Sequence, residues 1–350
     1  MNSCREFVNF PMKKIILIIF VVLFAGCGLK KEFEFYGPTM GTTYHIKIVT
    51  WNFKNLDDLK IQIEERLDAL NQSMSTYIPN SEISRFNLMN TIGEKFYVSK
   101  DFLNVAQVAK KIYEITNGAW DGTLLPLIEL WGFAGSDSAI SEMRTDIPDE
   151  KQIKEILAKI GFNKIEISDK GYLKKKQASV SIDFASIAKG YAVDQISDLI
   201  IKKGIRDFLV EIGGEVYASG KRLDGRNWRV GVNTPMKDSP QGMIYEIVEI
   251  SNKALATSGD YRNFFEVNGK YYSHILDPRT GYPVTNGVVS VSIISETCGF
   301  ADGLATGIMV MGQSKGMELI NTLEDVECLL VVNEKGKLTN YYSKGFKMYQ

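Results

Sequence analysis

The stretch FLVEIGGEVYASGKRLDGRNWRVGVN, residues 208–233, contains successive predicted strands with no helix between them. Its apolar and β-branched residues come in short runs that Gly, Asn and Asp interrupt, which is typical of strands joined by turns. The pattern continues in YEIVEIS (245–251), FFEV (264–267) and VVSVSII (288–294). Helical segments occur elsewhere without regular alternation with these strands, so the sequence predicts an α+β fold and not a doubly wound parallel sheet.

The remaining elements follow from periodicity and capping residues. Apolar residues from Leu56 to Leu70 recur on one helical face, and Ser99 is a predicted N-cap for a helix that stops at Asn117–Gly118. We also predict helices over 148–160, 186–203 and 297–311, and strands over 42–49, 180–183 and 327–332. No boundary divides residues 39–350, which we take as one domain.

The N-terminus has the pattern of a processing signal. Lys13 and Lys14 precede an apolar run of about 11 residues, too short for a bilayer span of about 20. The ending LFAGC resembles a bacterial lipobox, which predicts a lipoprotein signal peptide over 1–26 and lipidation of Cys27. Residues 1–11 could be an upstream extension, with Met12 as the true start, and 27–38 is predicted to be a lipidated tether. We therefore expect a lipid-anchored protein of the bacterial envelope, on its periplasmic or extracytoplasmic face.

Composition excludes some classes of function. The formal net charge of the 350 residues is −1 and no basic block occurs, so nucleic acid is not an expected partner. Besides Cys27, the mature chain holds only Cys298 and Cys328, with no CxxC pattern. This excludes a disulfide framework and a cysteine-based zinc site.

Ionisable residues concentrate between Thr257 and Val284, where TSGDYRN and SHILDPRTGYPV stand. His274 is one of two histidines in the chain, and Pro278 and Gly281 predict a tight turn beside it. By itself this stretch fits a functional site or a solvated surface hairpin equally well.

Two further segments could carry chemistry. In CGFADGLATGIMVMG, Asp302 and Thr306 share a helical face and offer oxygen ligands for a hard cation such as Mg²⁺. In SIDFASIAKGYAVD, Asp183 is expected to end a strand and Ser186 to begin a helix, with Lys189 aimed at the same place. Each segment also has a structural interpretation, as a close-packed helix with a satisfied Asp302 and as a helix capped by Asp183.

Eight motifs in this order resemble the ApbE family of FAD:protein FMN transferases, also called flavin-trafficking lipoproteins. They span nearly the whole mature chain and are MGT (40–42), MSTYIPNSEISRFN (74–87), GAWDGTLLPLIELWGF (118–133), SIDFASIAKGYAVD (181–194), VEIGGEV (210–216), ATSGDYRN (256–263), SHILDPRTGYPV (273–284) and ADGLATGIMVMG (301–312).

The resemblance implies two intimately joined α+β subdomains with FAD in a cleft between them. It implies Mg²⁺-dependent transfer of FMN from FAD to a Ser or Thr hydroxyl of a target protein, with release of AMP. Expected acceptors are exported proteins such as subunits of membrane redox complexes. A pyrophosphatase that gives FMN and AMP, and a flavin carrier without activity, are the alternatives.

The resemblance also implies roles for individual residues. Asp302 and Thr306 would bind the metal, with Ser186 contributing its main-chain oxygen, and His274 is matched to a family residue implicated in transfer. Lys189 stands where some members have Glu, and Trp120 where Phe is commoner. The general base could be His274, Asp277 or Asp302, and the sequence does not choose among them. The residues expected to line the FAD site are Met40, Tyr77, Ala119, Trp120, Asp121, Asp183, Lys189 and Ile275.

Overall fold

An eight-stranded antiparallel sheet organises the chain. The computed structural model describes residues 30–51, 55–133, 146–237, 239–240, 242–261 and 263–350. Within these residues the strand order is β1-β2-β6-β7-β10-β13-β14-β15. With strands numbered along the chain, the bounds are β1 Lys31–Thr39, β2 Thr42–Thr50, β6 Asp207–Ile212, β7 Glu215–Ser219, β10 Lys253–Gly259, β13 Val288–Ser295, β14 Glu327–Glu334 and β15 Lys337–Tyr342.

Smaller sheets and the helices surround this one. Three-stranded β3-β5-β4 comprises Phe96–Tyr97, Tyr172–Lys175 and Ile165–Ser168, and the ribbons are β8–β9 (Trp228–Asn233, Ile244–Ile250) and β11–β12 (Phe264–Val267, Lys270–Ser273). The helices are α1 Leu56–Met74, α2 Glu82–Leu88, α3 Lys100–Ile115, α4 Leu125–Leu130, α5 Glu150–Leu157, α6 Ala185–Lys202, α7 Cys298–Met311 and α8 Gln313–Ile320, with 3₁₀ turns at Phe162–Lys164 and Phe346–Tyr349. The α+β prediction is confirmed.

Both faces of the large sheet are covered. Along β14, Cys328 and Leu330 point into a core that includes α1, α3, α6 and α7, while Leu329 and Val331 point into a second core beneath ribbon β8–β9. Trp228 of the ribbon is buried in that second core. Burial on both faces explains why β14 is a continuous apolar run and not an alternating one.

The predictions for α1 and α3 are confirmed in detail, whereas a third predicted helix is shorter than expected. The apolar face of α1 is buried, and Ser99 Oγ accepts a hydrogen bond from Phe102 N at 3.2 Å, as expected of an N-cap. Helix α3 ends before Asn117 and Gly118, which both have positive φ. The helix predicted over 148–160 is shorter, Glu150–Leu157, with a capping box at Asp149.

The predicted tether is wrong from residue 31 onward, because Lys31–Thr39 pair with β2 along their whole length. Gly37 and Pro38, expected to break the chain, lie inside β1. Pro38 is tolerated because β1 is an edge strand, which leaves its missing N–H unneeded. Gly37 is required because a Cβ there would lie 2.7 Å from the ring of Tyr44.

The strand predicted over 180–183 is also wrong. Ile182 lies in irregular backbone, and the Asn87 side chain takes the place of a partner strand. Asn87 Nδ2 donates to Ile182 O and Ile182 N donates to Asn87 Oδ1, both at 2.8 Å. One carboxamide thus satisfies both main-chain groups of a residue 95 positions away.

The predicted signal peptide and Cys27 lie outside the described residues. Of the helices in the described part of the chain, none combines the length and apolar character that a bilayer crossing needs.

Candidate active site

One cavity of about 630 Å³ collects most of the predicted site residues, and its volume suits an organic ligand. Its lining comes from the α6 N-terminus, the β6–β7 turn, β8, β10, the segment around His274, and α7. Ten of the twelve predicted binding and catalytic residues are part of this lining, although they come from four separate parts of the sequence. They are Ala119, Trp120, Asp121, Asp183, Ser186, Lys189, His274, Ile275, Asp302 and Thr306.

Met40 and Tyr77 are the two predicted residues that do not line the cavity. Met40 lies in the β1–β2 turn with φ of 48°, close to Thr42, whose side chain approaches Gly213 of the cavity lining. Tyr77 is 71% exposed. Their predicted contact with FAD therefore has no support from the shape of this cavity.

Helices α6 and α7 approach so closely that they fix the position of Asp302. A Cβ at Gly190 would lie 2.6 Å from the Cys298 carbonyl carbon and 2.9 Å from Asp302 Cβ, so only glycine fits. The bare backbone lets Gly190 N donate to Asp302 Oδ2 at 3.1 Å. The Asp302 side chain is buried and cannot easily move away from this anchor.

The start of α7 is capped from α6. Asp194 accepts hydrogen bonds from Cys298 N at 2.7 Å and Gly299 N at 2.9 Å. The Thr297 side chain makes no capping bond. Burial raises the pKa of Asp194 to about 7, although the two N–H groups favour its charged form.

A half-buried lysine and two buried carboxylates occupy one part of the cavity wall. Lys189 Nζ donates to Glu215 Oε1 at 2.6 Å and lies 3.9 Å from Asp302 Oδ2. Burial alone would lower the pKa of Lys189, but the two carboxylates raise it, so it stays a cation. Burial raises the pKa of Asp302 and Lys189 opposes that shift. The group is therefore a charged, water-poor environment suited to binding ions.

Hydroxyl groups line the same cavity as the Asp302 carboxylate. Thr306 Oγ1 and Ser258 Oγ are 3.0 Å apart, and Trp120 Nε1 donates to Ser186 Oγ at 2.9 Å. Within the described residues, no group of three or more His, Cys, Asp and Glu could hold a metal. A metal here would rely on Asp302, hydroxyl and carbonyl oxygens, which is a donor set for a hard cation.

Nδ1 of the His274 ring is hydrogen-bonded, whereas Nε2 has no hydrogen-bond partner among the residues that the structure describes. Nδ1 lies 3.0 Å from Asn263 O, and since a carbonyl only accepts, Nδ1 carries the hydrogen. Burial lowers the pKa of His274, although the Asn263 carbonyl favours the charged form. The ring is then neutral near pH 7 and Nε2 holds a lone pair.

The other candidate bases are less suitable. Both carboxylate oxygens of Asp277 bind the Arg279 guanidinium at 2.8 Å, and Asp277 is not part of the cavity lining. Asp302 Oδ2 accepts a hydrogen bond from Gly190 N and lies 3.9 Å from the Lys189 ammonium, so the two groups favour its charged form without a direct bond to the lysine. The His274 side chain bonds to Asn263 and not to the DPRTG turn. That turn is held by the Asp277–Arg279 pair and by Trp131 Nε1, which donates to Gly281 O at 2.8 Å.

Two predicted nucleotide-binding carboxylates organise the backbone in this structure. Asp121 accepts from Thr123 N, Thr123 Oγ1 and Phe162 N at 2.6 to 3.1 Å, and burial raises its pKa. Asp183 Oδ1 accepts from Ala185 N at 2.8 Å, at the start of α6. Phe184, and not Asp183, is the N-cap of α6, so Asp183 lies one residue before the cap and closes a turn onto the first helical N–H. Asp121 shapes the loop that follows α3.

Sequence reasoning missed Glu215 and Ser258, which both line the cavity. Glu215 directly follows Gly213 and Gly214, which have φ of 63° and 105°, near the end of the VEIGGEV motif. Ser258 stands next to Gly259 in a motif already singled out. In both cases the adjacent glycines were the available signal.

The ApbE family model matches residues 40–330 of the chain. The chain belongs to the ApbE family. It is 39% identical to the FAD:protein FMN transferase of Vibrio cholerae over 95% of this chain and 97% of the relative. It is 34% identical to the Haemophilus influenzae FAD:protein FMN transferase over 95% and 96%. The solved structure of the flavin transferase ApbE from Vibrio cholerae superposes with a TM-score of 0.82 at 37% identity, covering 92% of this chain and 100% of that one. The predicted membership of the ApbE family is confirmed.

Proposed function

We propose that this ApbE-family chain transfers FMN from FAD to a Ser or Thr hydroxyl of another protein and releases AMP. Relatives that match nearly its full length are named FAD:protein FMN transferases. The observation that carries the proposal is the cavity in which Lys189, Asp302, Thr306 and His274 come together. It offers groups for a pyrophosphate, a cation and a proton within one ligand-sized space.

The residues present fit a magnesium ion. Asp302 is an anchored carboxylate, the Thr306 hydroxyl is on the same helical face, and Ser186 lies at the N-terminus of α6, also in the lining. A bound Mg²⁺ would withdraw charge from the pyrophosphate oxygens as a Lewis acid. Few protein ligands are expected, because Mg²⁺ keeps waters and binds substrate phosphates.

The transfer breaks one phosphorus–oxygen bond and forms another. The acceptor hydroxyl oxygen attacks the phosphorus of the FMN half, and the bond from that phosphorus to the bridging oxygen breaks. Its electron pair leaves with AMP, and the hydroxyl proton passes to a base. The product is FMN joined to the acceptor through a phosphoester. Lys189 supplies a fixed positive charge for the phosphates, which is the main demand of phosphoryl transfer.

His274 is the residue placed to accept that proton. Its Nδ1–H is held by Asn263 O, which orients the ring, and Nε2 is unprotonated near pH 7. A positioned base contributes about 10²–10⁴-fold to the rate.

We further propose that Cys27 is lipidated and that the enzyme works at the extracytoplasmic face of a bacterial membrane on exported redox subunits. The support is the LFAGC motif behind a short apolar run. Palmitate labelling of the cells, compared with a Cys27→Ala variant, tests the anchor. Label retained in that variant would refute it.

Mass spectrometry of a co-expressed acceptor domain tests the transfer. We expect one Ser or Thr to gain FMN, with AMP released in equal amount, only when FAD and Mg²⁺ are present. AMP release without modified acceptor would identify a pyrophosphatase. Bound flavin without AMP would identify a carrier.

A further inference from the structure

Glu215 lies at the cavity for reasons that packing does not explain. It is the first residue of β7, directly after the Gly213–Gly214 turn, and is only 4% exposed. A Cβ at Gly213 would lie 3.2 Å from Lys189 Cδ, so the glycine leaves room for the lysine chain to reach Glu215. The turn thus brings carboxylate and ammonium together.

One Glu215 oxygen binds Lys189 and the other has no partner. Oε1 accepts from Lys189 Nζ at 2.6 Å, while Oε2 is buried without a hydrogen bond from the described residues. A buried polar atom left unpaired costs about 1–3 kcal/mol. A carboxylate retained only for stability would have both oxygens satisfied, so Glu215 points to a role in the ligand site.

Lys189 stands between two carboxylates and is bonded to one of them. Its Nζ is 2.6 Å from Glu215 Oε1 but 3.9 Å from Asp302 Oδ2, which is beyond hydrogen-bond distance. Asp302 Oδ2 is held instead by Gly190 N. A direct bond between Lys189 and Asp302 would place a positive charge where the proposed cation needs a ligand.

The charges of this group balance in favour of a cation. Lys189 offsets one of the two carboxylates, which leaves one net negative charge. Without the charge of Glu215, the net charge would be zero and Asp302 would become the only anionic partner of Lys189. The loss of negative charge and the closer competition from Lys189 would both weaken the binding of a divalent cation at Asp302.

We propose that Glu215 is a positioning residue that holds Lys189 away from Asp302 and so keeps this carboxylate available to a divalent cation. The inference rests on the proposed metal-dependent transfer. It assigns Glu215 a role that acts through Lys189 and not by contact with the reacting atoms.

The test is a charge-balanced pair of variants. Glu215→Gln removes the charge at nearly constant shape, and Glu215→Gln with Lys189→Met restores the net charge and removes the competing ammonium. Mn²⁺ binding is measured directly by electron paramagnetic resonance of the free ion, with the metal alone and with ADP. We expect Glu215→Gln to weaken Mn²⁺ binding at least about tenfold, and the double variant to recover most of that loss.

Transfer kinetics give a second readout. In Glu215→Gln, the Mg²⁺ concentration for half-maximal rate should rise in parallel with the Mn²⁺ dissociation constant, while the rate at saturating Mg²⁺ changes much less. A structural defect would lower the rate at saturating Mg²⁺ as well as the metal affinity, and adding Lys189→Met would not restore metal binding.

Several results would overturn the inference. The inference about Glu215 is overturned if the unsubstituted chain and Glu215→Gln bind Mn²⁺ with equal affinity. It is also overturned if the double variant recovers none of the lost affinity. Neither result affects the proposed function. Should Glu215→Gln not fold, Glu215→Asp replaces it, because withdrawing the carboxylate by one methylene also releases Lys189. Unchanged Mn²⁺ affinity in Glu215→Asp would likewise overturn the inference. An unsubstituted chain that binds no Mn²⁺, with or without ADP, instead refutes the metal site itself.

Discussion

Gly190→Ala is the substitution for which the structure gives the most direct prediction. The new Cβ would lie 2.6 Å from the Cys298 carbonyl carbon, while carbon atoms in contact are about 3.5 Å or more apart. Helices α6 and α7 would have to separate by about 1 Å. The obstacle is main chain, so rotation of a side chain cannot relieve it.

The expected loss of stability follows from two opposing effects. Overpacking costs about 1–3 kcal/mol, and a rigid backbone obstacle places this site at the upper end. Alanine is the better helix former by about 1 kcal/mol, which offsets part of the cost. We expect the free energy of unfolding to fall by about 2 kcal/mol.

The same separation should impair function, because Gly190 N holds Asp302 Oδ2. Urea unfolding gives the stability change, and titration with Mg²⁺ gives the concentration for half-maximal transfer, which should rise. Gly316→Ala in α8 is the control, since its new Cβ would first meet a methyl group of Ile308, a side chain. Unfolding free energy and Mg²⁺ dependence both unchanged in Gly190→Ala would refute the close approach of α6 and α7.

Three further variants test the site. Asp302→Ala should abolish metal-dependent transfer while FAD binding, followed by flavin fluorescence, weakens only in part; full transfer would contradict the metal assignment. His274→Gln should lower kcat by about 10²–10⁴-fold with little change in FAD affinity. Because burial lowers the pKa of His274, the transfer rate of the unsubstituted enzyme should fall only below about pH 6.5. A fall in rate that begins at higher pH would exclude His274 as the base. Asp194 has a folded-state pKa of about 7, above its ordinary value of 3.8. Between these two pH values the native state keeps a proton that the unfolded state loses. The stability that Asp194 contributes therefore declines as pH rises from about 4 to 7. Urea midpoints of Asp194→Asn across that range should show a smaller decline than those of the unsubstituted chain, and parallel curves would contradict this.

Local patterns in the sequence predicted much of the molecule. The α1 face, the Ser99 cap and the glycines after α3 are all decided within a few residues, and each was found in the structure. The cavity lining was also largely predictable. Motifs such as that around Asp302 and Thr306 are short, and the family resemblance supplied their common location, which spacing could not.

The failures involve partners that are distant in the sequence. The segment at Ile182 has strand composition, but Asn87, 95 residues earlier, satisfies its main chain. The cap of α7 comes from Asp194, 104 residues before Cys298. Glu215 became visible only when the fold placed it 2.6 Å from Lys189. No periodicity or propensity records such contacts.

With the proposed lipid on Cys27, the position of β1 would limit where the proposed enzyme can act. Its first residue, Lys31, stands four positions after Cys27, and four residue steps span at most about 14 Å. With an acyl chain on that cysteine, the whole body would rest almost against the headgroups. Acceptor proteins would have to present their hydroxyl close to the bilayer surface. The short link between the lipid and the domain, and not affinity alone, would then determine which proteins are modified.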